Sequence, residues 1–293
     1  MPRIEPKLMA KAYSLNKLLP LLLPECRTIV DAKRELGWIK KELTTPFQVL
    51  RACQMRFMHY PLQYILKSQP FGIIDVPCRR GVLIPRWETE EWTVDVLNRI
   101  PDNLPISLID LCTGTGCIPV LIKKQRSLAH CIGVDVSEKA LALAKRNSKQ
   151  NGVDVTLLKR DIIKDSSNII SKHIDLLTCN PPYISKETFT KDSRASVRVF
   201  EPRLALIGNL EFYQNLIQHW LPRVDAFVYE IGDISQAKYI IAQISKSPLH
   251  ARLWSVGIRS DLNDLPRVVY GFRKESKNFD KANMFCGFGR LYH

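Results

Sequence analysis

An asparagine, two prolines and a tyrosine, Asn180-Pro181-Pro182-Tyr183, end the apolar run Ile174-Asp-Leu-Leu-Thr-Cys179. The run reads as a buried strand, so these four residues sit at a strand's carboxyl end. The combination suits chemistry on a planar nitrogen, an amide or an exocyclic amine, whose delocalised lone pair makes it a poor nucleophile. The Asn180 side-chain oxygen and the Pro181 carbonyl can accept its two N–H groups and shift electron density onto the nitrogen. Tyr183 can stack on the plane while Pro182 stiffens the loop. Asn-Pro also begins ordinary turns, so the elements upstream decide between the two readings.

Upstream, Leu108-Ile-Asp110-Leu-Cys112-Thr113-Gly114-Thr115-Gly116-Cys117 is an apolar strand entering a Gly-x-Gly turn, and Ile118–Ile122 resumes as a helix. Glycines let backbone approach a ligand, and the first N–H groups of a helix are free to donate. Pro119 occupies the third glycine position of a dinucleotide fingerprint, which favours a nucleoside without phosphate over a phosphate cradle. In the first turn its missing N–H costs little. The strand-like His130–Asp135 places the Asp135 carboxylate to accept both ribose hydroxyls. A third strand, Val153–Leu158, leads to Asp161, placed to accept an adenine amino group. These sites fall at successive strand ends, as in a doubly wound sheet.

The chain at this point resembles class I S-adenosylmethionine-dependent methyltransferases, and more narrowly the protein-(glutamine-N5) methyltransferases that modify the Gly-Gly-Gln loop of peptide chain release factors. Asn-Pro-Pro-Tyr alone is shared with adenine- and guanine-amino methyltransferases. The narrower likeness rests on Pro61-Leu-Gln-Tyr64-Ile, Phe71, Leu83-Ile-Pro85-Arg86-Trp87-Glu88-Thr89-Glu90, Val197-Arg198-Val-Phe200-Glu201-Pro202 and Tyr229-Glu230-Ile-Gly232. It extends from about Leu50 to Phe272. Trp87 stands where the family has a second proline, and Cys112 where it has a glycine, which predicts ordinary backbone angles at Cys112. The loop after Glu201-Pro202 is shorter than in the family.

The resemblance implies an α/β fold: the class I methyltransferase (Rossmann-like) seven-stranded sheet with a small N-terminal helical domain. It implies S-adenosylmethionine as cofactor, held by Cys112, Thr113, Gly114, Thr115, Gly116, Asp135, Asp161, Ile162, Asn180, Arg86 and Thr89. Catalysis would fall to Asn180, Pro181, Pro182 and Tyr183. Glu201 is a candidate proton acceptor, weighed against an ordinary loop carboxylate. The partner would be a peptide chain release factor, with RNA contact allowed but not required.

Boundaries follow from periodicity. Residues 1–67 read as a helical domain, with leucines from Leu18 to Leu23, a charged helix at Asp31–Glu42 and Thr45 as an N-cap before Pro46; packing is its plain role, and the resemblance implies a substrate-recognition domain. Residues 68–86 read as a hairpin linker, Phe71–Val76 with Gly81–Ile84. Residues 87–273 form the methyltransferase domain, with helices at Glu138–Gln150, Glu211–Trp220 and Ser235–Ser245. Ala226–Ile231 is a further strand, and the resemblance implies that Arg252–Ser255 with Val268–Phe272 make a closing antiparallel pair. Residues 274–293 form a tail of unassigned role.

The apolar content of 45% supports a packed core over disorder, and no apolar run is long enough for a bilayer. The eight cysteines, at 26, 53, 78, 112, 117, 131, 179 and 286, include no C-x-x-C pair, favouring reduced thiols over a disulfide framework or zinc site. The six histidines show no ligand spacing either, so no metal is expected. A formal charge of +14 suits acidic or polyanionic partners. The first 25 residues, basic at Arg3, Lys7, Lys11 and Lys17, are faintly transit-like, which favours mitochondria over cytoplasm. Two rivals remain. A nucleic-acid amino methyltransferase, acting on adenine N6 or guanine N2, calls for an RNA-binding module or basic–aromatic strip, and neither is found. A non-catalytic scaffold would be expected to lose the glycine turn or the tetrapeptide, and both are intact.

Overall fold

The computed structural model describes residues 4–166, 169–170, 172–275 and 280–292. Five helices come first: α1 (Pro6–Leu15), α2 (Leu19–Cys26), α3 (Ile29–Glu42), α4 (Pro46–Phe57) and α5 (Leu62–Leu66). They enclose an apolar cluster of their own that includes Leu19, Leu22, Leu23, Leu36, Ile39 and Val49. Thr45 caps α4 in a reciprocal capping box with Gln48, and Thr28 caps α3 by accepting from Asp31 N. Beneath them Arg56 Nε donates to Glu35 Oε1 at 2.5 Å in a buried ion pair.

The linker differs from expectation. β1 (Ser68–Phe71) pairs antiparallel with β2 (Ile74–Pro77), and Gly81–Ile84 is not a strand. Its backbone is satisfied elsewhere: Val82 N donates to Arg79 O, Tyr64 Oη donates to Val82 O, and Ile84 N donates to Glu201. With Gly81 at φ 94° and Pro85 closing the segment, no ladder forms.

α6 (Trp87–Arg99) then leads into the sheet, through β3 (Ser107–Leu111), α7 (Cys117–Gln125), β4 (His130–Asp135), α8 (Glu138–Gln150), β5 (Thr156–Lys159) and β6 (Ile174–Cys179). After α9 (Lys186–Asp192), α10 (Ala195–Phe200) and α11 (Glu211–Asn215), a π-helical turn at Leu216–Trp220 precedes β7 (Val224–Glu230). α12 (Ile234–Lys246), α13 (Pro248–Leu253), β8 (Trp254–Ser260), β9 (Pro266–Arg273), α14 (Lys281–Met284) and β10 (Arg290–Leu291) complete the order. The strands lie β10-β8-β9-β7-β6-β3-β4-β5, parallel from β7 to β5 and antiparallel from β10 to β7.

Central strands β6 and β7 are buried along their whole length, as expected where helices cover both faces. One face packs Trp92, Val96 and Leu97 of α6 against α7. The other packs Tyr213, Trp220 and α12. β5 begins three residues later than predicted because Val153 closes the end of α8, donating to Ser148 O and accepting from Ser148 Oγ. Arg252 and Leu253 belong to α13, which Ser247 caps.

Among the described residues the sheet has eight strands rather than seven, and the extra one comes from the tail. β10 pairs with β8 through Arg290↔Ile258, while Phe285 and Phe288 join the main core against Tyr270. Lys281, 1% exposed, places its ammonium 3.7 Å from both Asp175 and Asp225. Periodicity missed this segment because its apolar residues anchor singly instead of lining one face.

Asp110 on β3 lies fully buried under the glycine turn. Its Oδ1 accepts from Thr178 Oγ1 at 2.7 Å, and its Oδ2 has no hydrogen-bond partner among the described residues. Burial pushes its pKa up to about 7, against the opposing pull of the neighbouring Thr113 and Thr178 hydroxyls. Unfolded, the group titrates near 4. The stability that its protonated form contributes is therefore complete below about pH 4 and lost as pH rises through about 7. Asp110→Asn cannot ionise, so its stability relative to the wild type should rise by about 2 kcal/mol between about pH 5.5 and about pH 8. Urea unfolding at both pH values measures this, and a pH-independent difference would contradict it.

Candidate active site

A cavity of about 460 Å³ opens at the carboxyl edge of the parallel strands. Its floor is the turn after β3. Thr113 N donates to Val134 O, Gly116 N closes the turn on Thr113 O, and the buried Asn147 side chain donates to Thr115 O. Gly114 and Gly116 take left-handed angles, φ 56° and 70°, which let the backbone curl into the start of α7. Cys112 does so too, at φ 56°. The expectation of ordinary angles there is therefore overturned: the turn keeps the geometry a glycine would supply, at a cost of about 1–2 kcal/mol for a side chain.

Asp135 stands at the end of β4. Its Oδ2 accepts from Gly114 N at 2.9 Å and its Oδ1 from Ser137 N at 2.8 Å. Burial raises its pKa, while these amides and that of Val136 oppose the rise. Asp161, just beyond β5, accepts from Ile163 N and pairs with Lys164 at 3.7 Å. Both aspartates line the cavity. So do Arg86, Thr89, Cys112, Thr113, Gly114, Thr115, Ile162 and Asn180; of the proposed cofactor contacts only Gly116 lies outside the wall.

Of the tetrapeptide, Asn180 and Pro182 face the cavity, whereas Pro181 and Tyr183 are not part of its wall. The segment is pinned from behind. Ile184 bridges Ile207, and Gly208 comes so close that a Cβ would lie 2.2 Å from Pro182 O. Gln236 donates to Tyr183 O at 2.9 Å, and the Tyr183 hydroxyl donates to Glu230 Oε1 at 3.2 Å.

Glu230, 1% exposed at the end of β7, organises the whole edge. Its Oε2 accepts from Thr89 Oγ1 at 2.7 Å and from Trp92 Nε1 at 3.0 Å, both on α6. Burial raises its pKa, against these donors, Tyr183 and Arg267. Thr89 spends its only proton on Glu230, so toward Asn180 its oxygen can only accept. Asn180 must therefore turn its Nδ2 to Thr89, as it does at 3.0 Å, which leaves Oδ1 to accept from a ligand. Sequence reasoning noticed Glu230 as part of a family motif but gave it no role.

Glu201 is neither a loop carboxylate in solvent nor a free base. It is 6% exposed and accepts from Arg86 Nη2 at 2.8 Å and from Ile84 N at 3.2 Å. It thereby fixes the linker segment that supplies Ile84, Pro85 and Arg86 to the cavity wall. Ser137, Ile163, Leu204 and Phe212 also line the cavity; they are ordinary in type, and only proximity reveals them.

The cavity fits a cationic nucleoside. It offers carboxylates at two neighbouring strand ends, an apolar wall, and backbone freed by positive-φ residues for close approach. Among the described residues no group of three or more His, Cys, Asp or Glu could hold a metal ion, and no helix is long and apolar enough to cross a membrane.

Comparison with known proteins agrees with this geometry. Residues 93–210 match the family model described as Methyltransferase small domain. The chain is 43% identical to the "Mitochondrial MRF1 N(5)-glutamine methyltransferase MTQ1" of Saccharomyces cerevisiae, covering 100% of this chain and 96% of that one. It is 38% identical to the "Probable MRF1 mitochondrial N(5)-glutamine methyltransferase mtq1" of Schizosaccharomyces pombe, covering 92% and 97%. The "Release factor glutamine methyltransferase" of Geobacter sulfurreducens is 35% identical over 76% of this chain and 78% of its own. Among solved structures, the hMettl16 catalytic domain in complex with MAT2A 3'UTR hairpin 1 shares the fold, with a TM-score of 0.52 at 16% identity over 94% of each chain. The strand-end carboxylates, the Asn-Pro-Pro-Tyr edge and the full-length identity lead to one conclusion: the chain belongs to the release factor N(5)-glutamine methyltransferase family.

Proposed function

We propose that the protein transfers a methyl group from S-adenosylmethionine to the side-chain amide nitrogen of the glutamine in the Gly-Gly-Gln loop of a peptide chain release factor. The setting is mitochondrial, as the name of the Saccharomyces relative states for that protein. The observation that carries this reading is the locked Asn180 amide, whose Nδ2 is committed to Thr89. A fixed acceptor at the cavity edge suits a substrate carrying N–H groups on a planar nitrogen.

The cofactor, when bound, supplies a methyl group already made electrophilic by a sulfonium. The residues of this chain therefore align more than they ionise. Asp135 would hold the ribose hydroxyls and Asp161 the adenine amino group, with Ile162 and the 112–116 turn against the nucleoside. Asn180 Oδ1 would accept one N–H of the glutamine amide and the Pro181 carbonyl the other, and Pro182 would hold the segment stiff. Tyr183, hydrogen-bonded to Glu230 behind that segment, would set the plane of the site. Glu201 is committed to Arg86 and Ile84, so we give it no proton-transfer role. The five N-terminal helices expose Trp38, Phe47, Phe57 and Met58 and would dock the body of the factor.

Asn180→Ala should lower turnover by about 100-fold, the loss of about 3 kcal/mol typical of one transition-state contact. S-adenosylmethionine affinity should stay within about tenfold, because Asn180 acts mainly on the acceptor. Retention of a tenth or more of wild-type turnover would remove that role.

Asp135→Ala should weaken S-adenosylmethionine binding by about 2 kcal/mol through loss of charge-assisted hydrogen bonds. Calorimetry checks this, and unchanged affinity would place the ribose elsewhere.

Folded release factor should be a far better substrate than a short Gly-Gly-Gln peptide, since remote contacts supply orientation the peptide lacks. Replacing that glutamine by alanine should abolish labelling from methyl-labelled cofactor. Labelled RNA with every factor unmodified would instead select the nucleic-acid reading.

A further inference from the structure

Two cysteines stand where the glycine turn meets the catalytic edge. β3 pairs with β6 in the register Leu111↔Cys179, so Cys112 lies one residue beyond the partner of Cys179. Neighbouring strands about 4.8 Å apart put the two Cα atoms roughly 5–7 Å from each other, a separation that a disulfide spans. Cys112 packs against the apolar cluster that contains Cys179. The two thiols sense each other: burial first, then Cys112, raises the Cys179 thiol well above its ordinary value. The Tyr229 hydroxyl is raised by burial and by the same pair.

The pair is asymmetric. Cys179 is 0% exposed, whereas Cys112 is half-buried and lines the cavity. A small oxidant entering the cavity meets Cys112 first, and a bound cofactor would cover it. Both thiols are free in this structure.

We propose that Cys112 and Cys179 form a reversible, peroxide-driven disulfide that ties the glycine turn to the segment carrying Asn180. The effect on activity rests on the functional reading above; the bond itself does not. The Cys112 thiolate attacks one oxygen of hydrogen peroxide, the O–O bond breaks, and Cys112 becomes a sulfenic acid with release of hydroxide. The Cys179 sulfur then attacks the Cys112 sulfur, its S–H proton leaves with the departing hydroxyl as water, and the S–S bond forms. Two electrons pass from the thiols to the peroxide, giving one disulfide and two waters after proton uptake.

The test treats reduced full-length protein with stoichiometric hydrogen peroxide, with and without S-adenosylhomocysteine, then blocks free thiols and maps peptides without reduction. The expected product joins Cys112 to Cys179, forms more slowly with S-adenosylhomocysteine present, and is absent from Cys179→Ala, which keeps its activity when reduced. Methyl transfer should fall by about tenfold or more on oxidation and return with dithiothreitol, because locking the edge misplaces Asn180. Recovery of both cysteines as blocked thiols would overturn the proposal. So would a crosslink between other cysteines, such as Cys78 with Cys117, or full activity in the crosslinked protein. A Cys112–Cys179 bond in protein that methylates no factor when reduced would uphold the disulfide and sink the methyltransferase reading.

Discussion

Burying a carboxylate costs several kcal/mol unless its oxygens are satisfied, and Glu230 is satisfied by donors from two distant stretches of chain. Thr89 and Trp92 come from α6, and Tyr183 comes from the segment after β6. Meeting that requirement joins the first helix of the sheet domain to the strand end where Asn180 sits. The orientation of the Asn180 amide then follows from proton counting along Glu230, Thr89 and Asn180. Glu201 meets a similar demand on the other side by binding Arg86 and Ile84. Two buried acids thus fix the cavity wall, and neither is part of its lining.

Charge is distributed to match. The molecule carries a formal charge of +14, yet Asp135 and Asp161 both line its cavity. A basic exterior attracts acidic partners, while the cavity itself is lined by carboxylates at two neighbouring strand ends. Burial raises the pKa of Asp135, and backbone amides of the glycine turn and Ser137 oppose that rise. The turn therefore shapes the cavity and supports the acid beside it.

Local chemistry was the part most legible in sequence. β4, β6 and α8 fall on their expected residues because each has an unbroken period and a clear cap or turn. Ten of the proposed cofactor contacts share one wall because they occupy adjoining strand ends, a relation fixed by parallel topology. Gly81–Ile84 has strand-like composition, but its backbone partners include side chains as far away as Glu201, and no local pattern encodes that. Cys112 could not be judged from composition, since a positive φ in a non-glycine residue is a demand of the tertiary turn. Glu230 was visible as a letter in a motif, whereas its role depends on donors 138 to 141 residues earlier. The eighth strand escaped because only two residues form it, held by aromatic anchors.

α6 has a kinetic meaning beyond its place in the wall. Glu90 accepts locally from Gly72 N of the hairpin, but many of the helix's polar partners lie late in the chain: Glu230 for Thr89 and Trp92, Arg259 for Glu91 and Asp95, and the carbonyls of Met284 and Cys286 for Arg99. These links span 138 to 187 residues, so α6 contributes heavily to contact order, and such closures come slowly. A folding chain can build its N-terminal helices and the hairpin from local contacts while the segment bearing Thr89 still lacks its anchor. The Asn180–Thr89–Glu230 arrangement therefore arises only once β7 has joined the sheet and α6 has docked on it.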